Sequence, residues 1–209
     1  MRICEIFSSL QGEGMLMGIP TVFVRTIGCN LDCSWCDTPY AREGGEEMEV
    51  SEVVERVRSF DLKTVCITGG EPLIQEETYE LIDILLNQGF YIQLETNGSI
   101  SLDRLLCYEE LLISMDLKPP SSGMTNRMVM DNLESLSICD QLKFVVVDRE
   151  DMDYVEKVLS EHTIRCPVIV TAAGGVDLRN VAEWVMERKL EVRVLPQLHK
   201  IIWGDERAR

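Results

Sequence analysis

The chain has 209 residues, 45% of them hydrophobic and 27% charged, and a formal net charge of -16. That length suggests one domain with at most a small elaboration. No apolar run approaches the ~20 residues that span a bilayer, and no charged stretch followed by an apolar one marks a signal peptide, so a soluble cytoplasmic protein is expected. An acidic surface repels a phosphate backbone, and Arg207 and Arg209 are too few to form a basic patch, which argues against nucleic-acid binding.

In chain order, Glu5–Gly14 (EIFSSLQGEG) precedes the first expected strand, Thr21–Ile27. Ser51 reads as the N-cap of a helix that carries Val53, Val54, Val57 and Phe60 on one face. Strands follow at Thr64–Thr68, Tyr91–Glu95 and Leu111–Asp116, with a helix from about Glu76 to Asn87 between the first two. Leu142–Val147 reads as a buried strand and Asp151–Ser160 as a helix. Pro167–Thr171, a helix near Leu178–Arg188 and Val192–Pro196 close the series. Strand–helix alternation argues for an α/β protein with a mainly parallel sheet, either doubly wound or a partial barrel. Both architectures collect ligands at the carboxyl ends of their strands. Those ends read TGGEP (Thr68–Pro72), ETNG (Glu95–Gly98), DLKPPSSG (Asp116–Gly123), TAAGG (Thr171–Gly175) and PQLH (Pro196–His199). One such turn means little, because turns favour these residues anyway. Several beside a metal-binding loop suggest one shared concave site.

That loop is GCNLDCSWCDT, Gly28–Thr38, in which Cys29, Cys33 and Cys36 are spaced C-x3-C-x2-C with no fourth cysteine nearby. Of the eight cysteines, the other five (Cys4, Cys66, Cys107, Cys139 and Cys166) read as buried core thiols. Structural zinc sites usually pair two short Cys/His clusters across a longer loop. Here there is no second cluster and there are only two histidines, His162 and His199. A thioredoxin-like dithiol at Cys33 and Cys36 would leave Cys29 idle. A third option is a four-iron, four-sulfur cube held by three thiolates, with one iron left open to a chelating small molecule.

The cysteine spacing, followed by a strand that ends in Gly-Gly-Glu-Pro, resembles the radical S-adenosylmethionine superfamily. The resemblance implies an abbreviated, open partial (β/α) barrel with about six strands. It also implies a [4Fe–4S] cluster and S-adenosylmethionine, whose reductive cleavage yields a 5′-deoxyadenosyl radical. Three further stretches, EIFSSLQGEG, CDTPYA (Cys36–Ala41) and VRVLPQLHKIIWG (Val192–Gly204), resemble the family of 7-carboxy-7-deazaguanine synthases. That family converts 6-carboxy-5,6,7,8-tetrahydropterin to 7-carboxy-7-deazaguanine. Its radical abstracts the hydrogen at C6, the ring contracts and ammonia leaves, a step in queuosine or archaeosine biosynthesis. Magnesium assists the reaction, a flavodoxin or ferredoxin supplies electrons, and homodimers are typical. The whole chain is expected to form one radical S-adenosylmethionine domain, with residues 1–19 as a substrate-binding extension and 197–209 closing the site.

Carried over by motif position, Leu10, Gln11, Gly12, Glu13, Arg25, Thr68 and His199 would contact the substrate, and Gln197 is a further candidate. A pterin edge needs matched donors and acceptors, and its carboxylate suits a guanidinium fork. Read without the resemblance, Arg25 would be a salt bridge on an edge strand and Gln11 a polar loop residue. Thr38 would ligate magnesium, which favours hard oxygen donors. Trp35, Asp37, Gly70, Glu95, Asp116 and Lys118 would surround S-adenosylmethionine, with Thr96 and Asn97 nearby. The family carries Ser-Pro-Lys where this chain has Asp116-Leu117-Lys118, which puts the role of Asp116 in question. No side chain is expected to be catalytic apart from the cofactor-derived radical. The alternatives are a glycyl-radical activating enzyme, whose open side would receive a polypeptide, and a zinc-stabilised binding module.

Overall fold

The computed structural model describes residues 1–108, 110–175 and 177–208, so Arg209 lies outside the described residues. Its strands are β1 (Arg2–Leu10), β2 (Pro20–Thr26), β3 (Glu46–Glu47), β4 (Thr64–Gly69), β5 (Tyr91–Thr96), β6 (Leu111–Asp116), β7 (Gln141–Val146), β8 (Val168–Ala172) and β9 (Arg193–Val194). Its helices are α1 (Val50–Arg58), α2 (Glu77–Asn87), α3 (Asn132–Ser135), α4 (Arg149–Glu161), α5 (Arg179–Arg188) and α6 (Leu198–Trp203). Among the described residues no helix is long and apolar enough to cross a membrane.

The strands form one sheet in the order β3-β1-β2-β4-β5-β6-β7-β8-β9. From β2 to β9 every pairing is parallel and each new strand joins beside the last, whereas β1 runs antiparallel to both neighbours. Right-handed crossovers in a sheet that grows in one direction put the helices on one face, as in a (β/α) barrel. Among the described residues β3 and β9 end the sheet without pairing to each other, so the barrel stays open.

Period-two alternation divides the work of the two sheet faces. Val22 and Val24 of β2, Val65 and Ile67 of β4, Ile92 and Leu94 of β5, Leu142, Phe144 and Val146 of β7, and Val168 and Val170 of β8 enter the core. That core is completed by Val53, Val54 and Val57 of α1, Leu81, Ile82 and Leu85 of α2, and Val155 of α4. The intervening residues, among them Arg25, Thr68, Glu95, Asp116 and Lys143, line a cavity on the opposite face.

Several expectations need correction. Among the described residues nine strands stand where about six were expected. The largest omission is β1, whose nine residues mix serines and charges with apolar residues and so mask the alternation. Helix α1 starts at Val50 and its cap is Glu49, so Ser51 lies inside the helix. The Glu52 carboxylate reaches back to accept the Glu49 N–H at 2.8 Å. Cys66 and Cys166 are buried as expected, but Cys107 and Cys139 are exposed and Cys4 is half-buried. Arg25 does not sit on an edge, because β2 lies between β1 and β4.

Candidate functional site

A cavity of about 620 Å³ opens at the carboxyl ends of the parallel strands. Its lining includes Cys29, Cys33 and Cys36, together with residues from the exits of β2, β4, β5, β6, β8 and β9. The cysteine loop leaves β2 and is pinned along its length. Gly28 donates its N–H to the Ala41 carbonyl, and its own carbonyl accepts from the Glu71 N–H, each at 2.8 Å. Asn97 Nδ2 lies 3.7 Å from Cys29 Sγ, and Trp35 Nε1 donates to Ser121 Oγ at 2.8 Å. All three thiols are half-buried and free of disulfides. No group of three His, Cys, Asp or Glu among the described residues converges on a single metal ion. Three free thiols spread along a cavity wall fit a cube of iron and sulfide, whose ligands need not meet at a point.

The TGGEP turn packs directly against this loop. A Cβ on Gly70 would collide with the Gly28 carbonyl and crowd Cys29 Cβ, so glycine is required there by the protein itself, before any ligand is considered. Glu71 is fully buried and accepts N–H groups from Leu73 at 3.0 Å and Asn97 at 2.6 Å, as well as the Thr96 hydroxyl at 3.0 Å. Burial pushes its pKa up to about 7 despite those hydrogen bonds. Thus one carboxyl group ties the turns after β4 and β5 together and sets Asn97 against Cys29.

A buried charge network forms the floor. Lys143 Nζ pairs with Glu13, lies 3.5 Å from Glu95 Oε2 and 3.9 Å from Asp116 Oδ2. Burial opposes the Lys143 charge, but the three carboxylates outweigh it and keep the ammonium protonated. Burial also drives Glu13 upward, yet the charge of Lys143 and hydrogen bonds from Lys143 and Gln197 hold its pKa at about 2. Lys118 Nζ donates to Asp116 Oδ2 at 3.0 Å and stands 5.2 Å from the Trp35 ring centroid. Asp116 Oδ1 is buried without a partner. An unpaired carboxylate oxygen beside the cavity suits a hydroxyl donor such as a ribose, so aspartate can stand where the family has serine.

The N-terminal and C-terminal segments form the far wall together. Gln11 is buried, and its Nε2 donates to Gln93 Oε1 at 2.9 Å, which places it within the cavity floor. A Cβ on Gly12 would overlap the His199 ring, and the Leu198 N–H donates to the Gly12 carbonyl at 2.8 Å. Gln197 Nε2 reaches Glu13 Oε1 at 2.6 Å. Burial pushes the pKa of His199 down and the nearby carboxylates of Glu13 and Asp37 offset this only in part, so the imidazole is neutral near pH 7. Arg25 Nε pairs with Glu5 Oε1 at 2.8 Å across the β1–β2 ladder, beside a stacked Phe7–Phe23 pair. Leu10, Thr68 and Thr38 also line the cavity. Thr38 Oγ1 donates to Asp37 Oδ1 at 2.9 Å, and Asp37 itself is exposed.

Every residue assigned from the sequence to substrate, cofactor or metal lines this one cavity. Lys143 and Tyr40, which also line it, were missed. Lys143 carried a readable signal, because a lysine inside an otherwise apolar strand is almost never fully buried without partners. His162 stands at the end of α4, outside the cavity lining.

The radical SAM superfamily model matches residues 23–130. The 7-carboxy-7-deazaguanine synthase of Thermoplasma acidophilum is 40% identical over 98% of each chain. The enzyme of the same name from Methanospirillum hungatei is 43% identical over 97% of this chain and 85% of its own. The crystal structure of QueE from Escherichia coli superposes with a TM-score of 0.73, covers 93% of each chain, and shares 23% identity.

Proposed function

The chain belongs to the radical SAM superfamily and, within it, to the 7-carboxy-7-deazaguanine synthases, and from this premise we propose how its residues divide the reaction among them. The reaction is the ring contraction of 6-carboxy-5,6,7,8-tetrahydropterin to 7-carboxy-7-deazaguanine with loss of ammonia. A [4Fe–4S] cluster and S-adenosylmethionine, when bound, supply the adenosyl radical that starts it, with electrons from a flavodoxin or ferredoxin. Cys29, Cys33 and Cys36 hold the cluster. Gly70, Trp35, Asp37, Glu95, Asp116 and Lys118 would hold S-adenosylmethionine, and the unpaired Asp116 Oδ1 would accept a ribose hydroxyl.

The pterin lies against the wall shared by the two terminal segments. Glu13, kept ionised by Lys143, accepts N–H donors from the guanidine-like edge of the pterin. Neutral His199 and the Leu10–Gly12 backbone complete that edge, while Thr68 contacts the ring. Arg25 receives the substrate carboxylate. Thr38 would hold magnesium through its hydroxyl beside that carboxylate, where the ion would offset the carboxylate charge. The walls exclude bulk water from a carbon radical, and the side chains bind and orient without exchanging protons with the reacting carbon.

The observation that carries this reading is that the cysteine loop, the TGGEP turn and the two terminal segments share one cavity. The glycyl-radical activating enzyme and the zinc module give way to relatives of one name that span almost the whole chain. The test is anaerobic incubation with the carboxypterin, S-adenosylmethionine and a reductant, with product mass as readout. A deazaguanine carboxylate is expected, and its absence from cluster-loaded enzyme would refute the assignment.

A further inference from the structure

Beyond α6 the tail turns back over the cavity, and Gly204 to Ala208 stand in its lining. Arg207 Nη2 lies 3.2 Å from Glu5 Oε2, and its guanidinium carbon is 3.8 Å from the Tyr40 ring centroid. The other oxygen of Glu5 accepts from Arg25 Nε at 2.8 Å and from the Tyr40 hydroxyl at 3.4 Å. Arg25 also lies 6.0 Å from the same Tyr40 ring. A single carboxylate, 14% exposed, is therefore shared by two guanidinium groups, one from β2 and one from the tail.

The charge balance decides what this cluster can bind. Arg25 and Glu5 alone make a neutral, closed pair with nothing net to offer an anion. Arg207 brings the trio to one positive charge; the acids beside it on the tail are Glu206, which also lines the cavity, and Asp205, which is engaged by Lys200 at 2.5 Å. The spot is partly desolvated and flanked by Tyr40 and Phe7. It sits in a chain with a net charge of -16, so two guanidinium groups meeting at one carboxylate in the cavity are a local feature and not part of a general basic surface.

We propose that Arg207 is a specificity-determining residue: it shares the Glu5 carboxylate with Arg25, which stays bound to it through Nε, and brings a second guanidinium group to the subsite of the substrate carboxylate. The proposal rests on the carboxypterin reading above and adds to it a residue from the C-terminal tail. An ordinary surface ion pair would contribute little and would not distinguish a carboxylated ligand from an uncharged one.

The test uses the cluster-reconstituted, full-length enzyme with S-adenosylmethionine, titrated with 6-carboxypterin and, separately, with pterin lacking the carboxyl group, with ligand fluorescence as readout. Arg207→Gln should weaken 6-carboxypterin binding about tenfold, the scale of one charged hydrogen bond, and leave pterin binding within about twofold. Arg207→Lys should recover part of the loss, and in turnover the defect should fall on KM more than on kcat. Equal weakening of both ligands would make Arg207 a packing residue and overturn the proposal, as would unchanged binding of both. If the wild-type enzyme fails to prefer 6-carboxypterin over pterin, the substrate reading itself falls and the proposal with it.

Discussion

Single charges in this cavity are set by their neighbours more than by their own chemistry. Glu13 is the clearest case, because its pKa falls from 4.5 to about 2 against the effect of burial. A carboxyl depressed in the folded state stabilises the fold above its unfolded pKa and loses that contribution as pH falls through the folded value. Stability should therefore decline between about pH 4.5 and about pH 2, by at most roughly 3 kcal/mol from this group. Glu13→Gln should flatten that part of a urea-unfolding series against pH; an unchanged slope would show that Lys143 does not hold Glu13 ionised. Thr38 gives a second prediction at this scale. If its hydroxyl ligates magnesium, Thr38→Ala should lose about tenfold of the metal-stimulated rate, the scale of one lost ligand-side contact, with the iron–sulfur absorbance unchanged. Undiminished magnesium stimulation would remove Thr38 from the metal site. Lys143 was overlooked in the sequence because four apolar neighbours made β7 read as plain core, and its three acidic partners come from distant parts of the chain.

The turns after the strands carry the functional groups, and they hold one another in place. The Gly70 turn bears on the cysteine loop so closely that a single added methyl cannot be accommodated without moving the Gly28 carbonyl. Gly70→Ala should cost about 1–3 kcal/mol of stability, as overpacking commonly does, and reduce iron loading by shifting Cys29. Full iron content with an unchanged melting temperature would contradict this coupling. Elements were legible in the sequence where they follow one rule. The parallel strands read as apolar runs and α1 as an amphipathic repeat. The elements that read poorly were β1, with its antiparallel pairing and mixed faces, and α6, with only six residues. Neither could be placed until its partner across the cavity was known, and Gly12 against His199 is that partnership.

Across the molecule the sheet separates stability from chemistry. The apolar cluster lies between the sheet and helices α1, α2, α4 and α5, and the cysteines belong to the other face. Replacing Cys29, Cys33 or Cys36 with Ala should therefore leave far-UV circular dichroism and hydrodynamic size native while abolishing cluster and turnover, because no further cysteine lines the loop. Retention of about four irons per chain in any one of these variants would overturn the ligand assignment. Legibility at this scale was partial for a physical reason. Motifs mark the carboxyl ends of strands, but the number of strands and the opening between β3 and β9 depend on pairing, which local sequence does not encode.

The wall that joins Gly12 to His199 has a consequence for biosynthesis. In translation the Gly12 side of that wall is made well before the His199 side, and the cysteine loop emerges between them. During translation the thiols are thus displayed before the far side exists. Iron and sulfide would have an open approach until α6 is made and completes the far wall of the cavity.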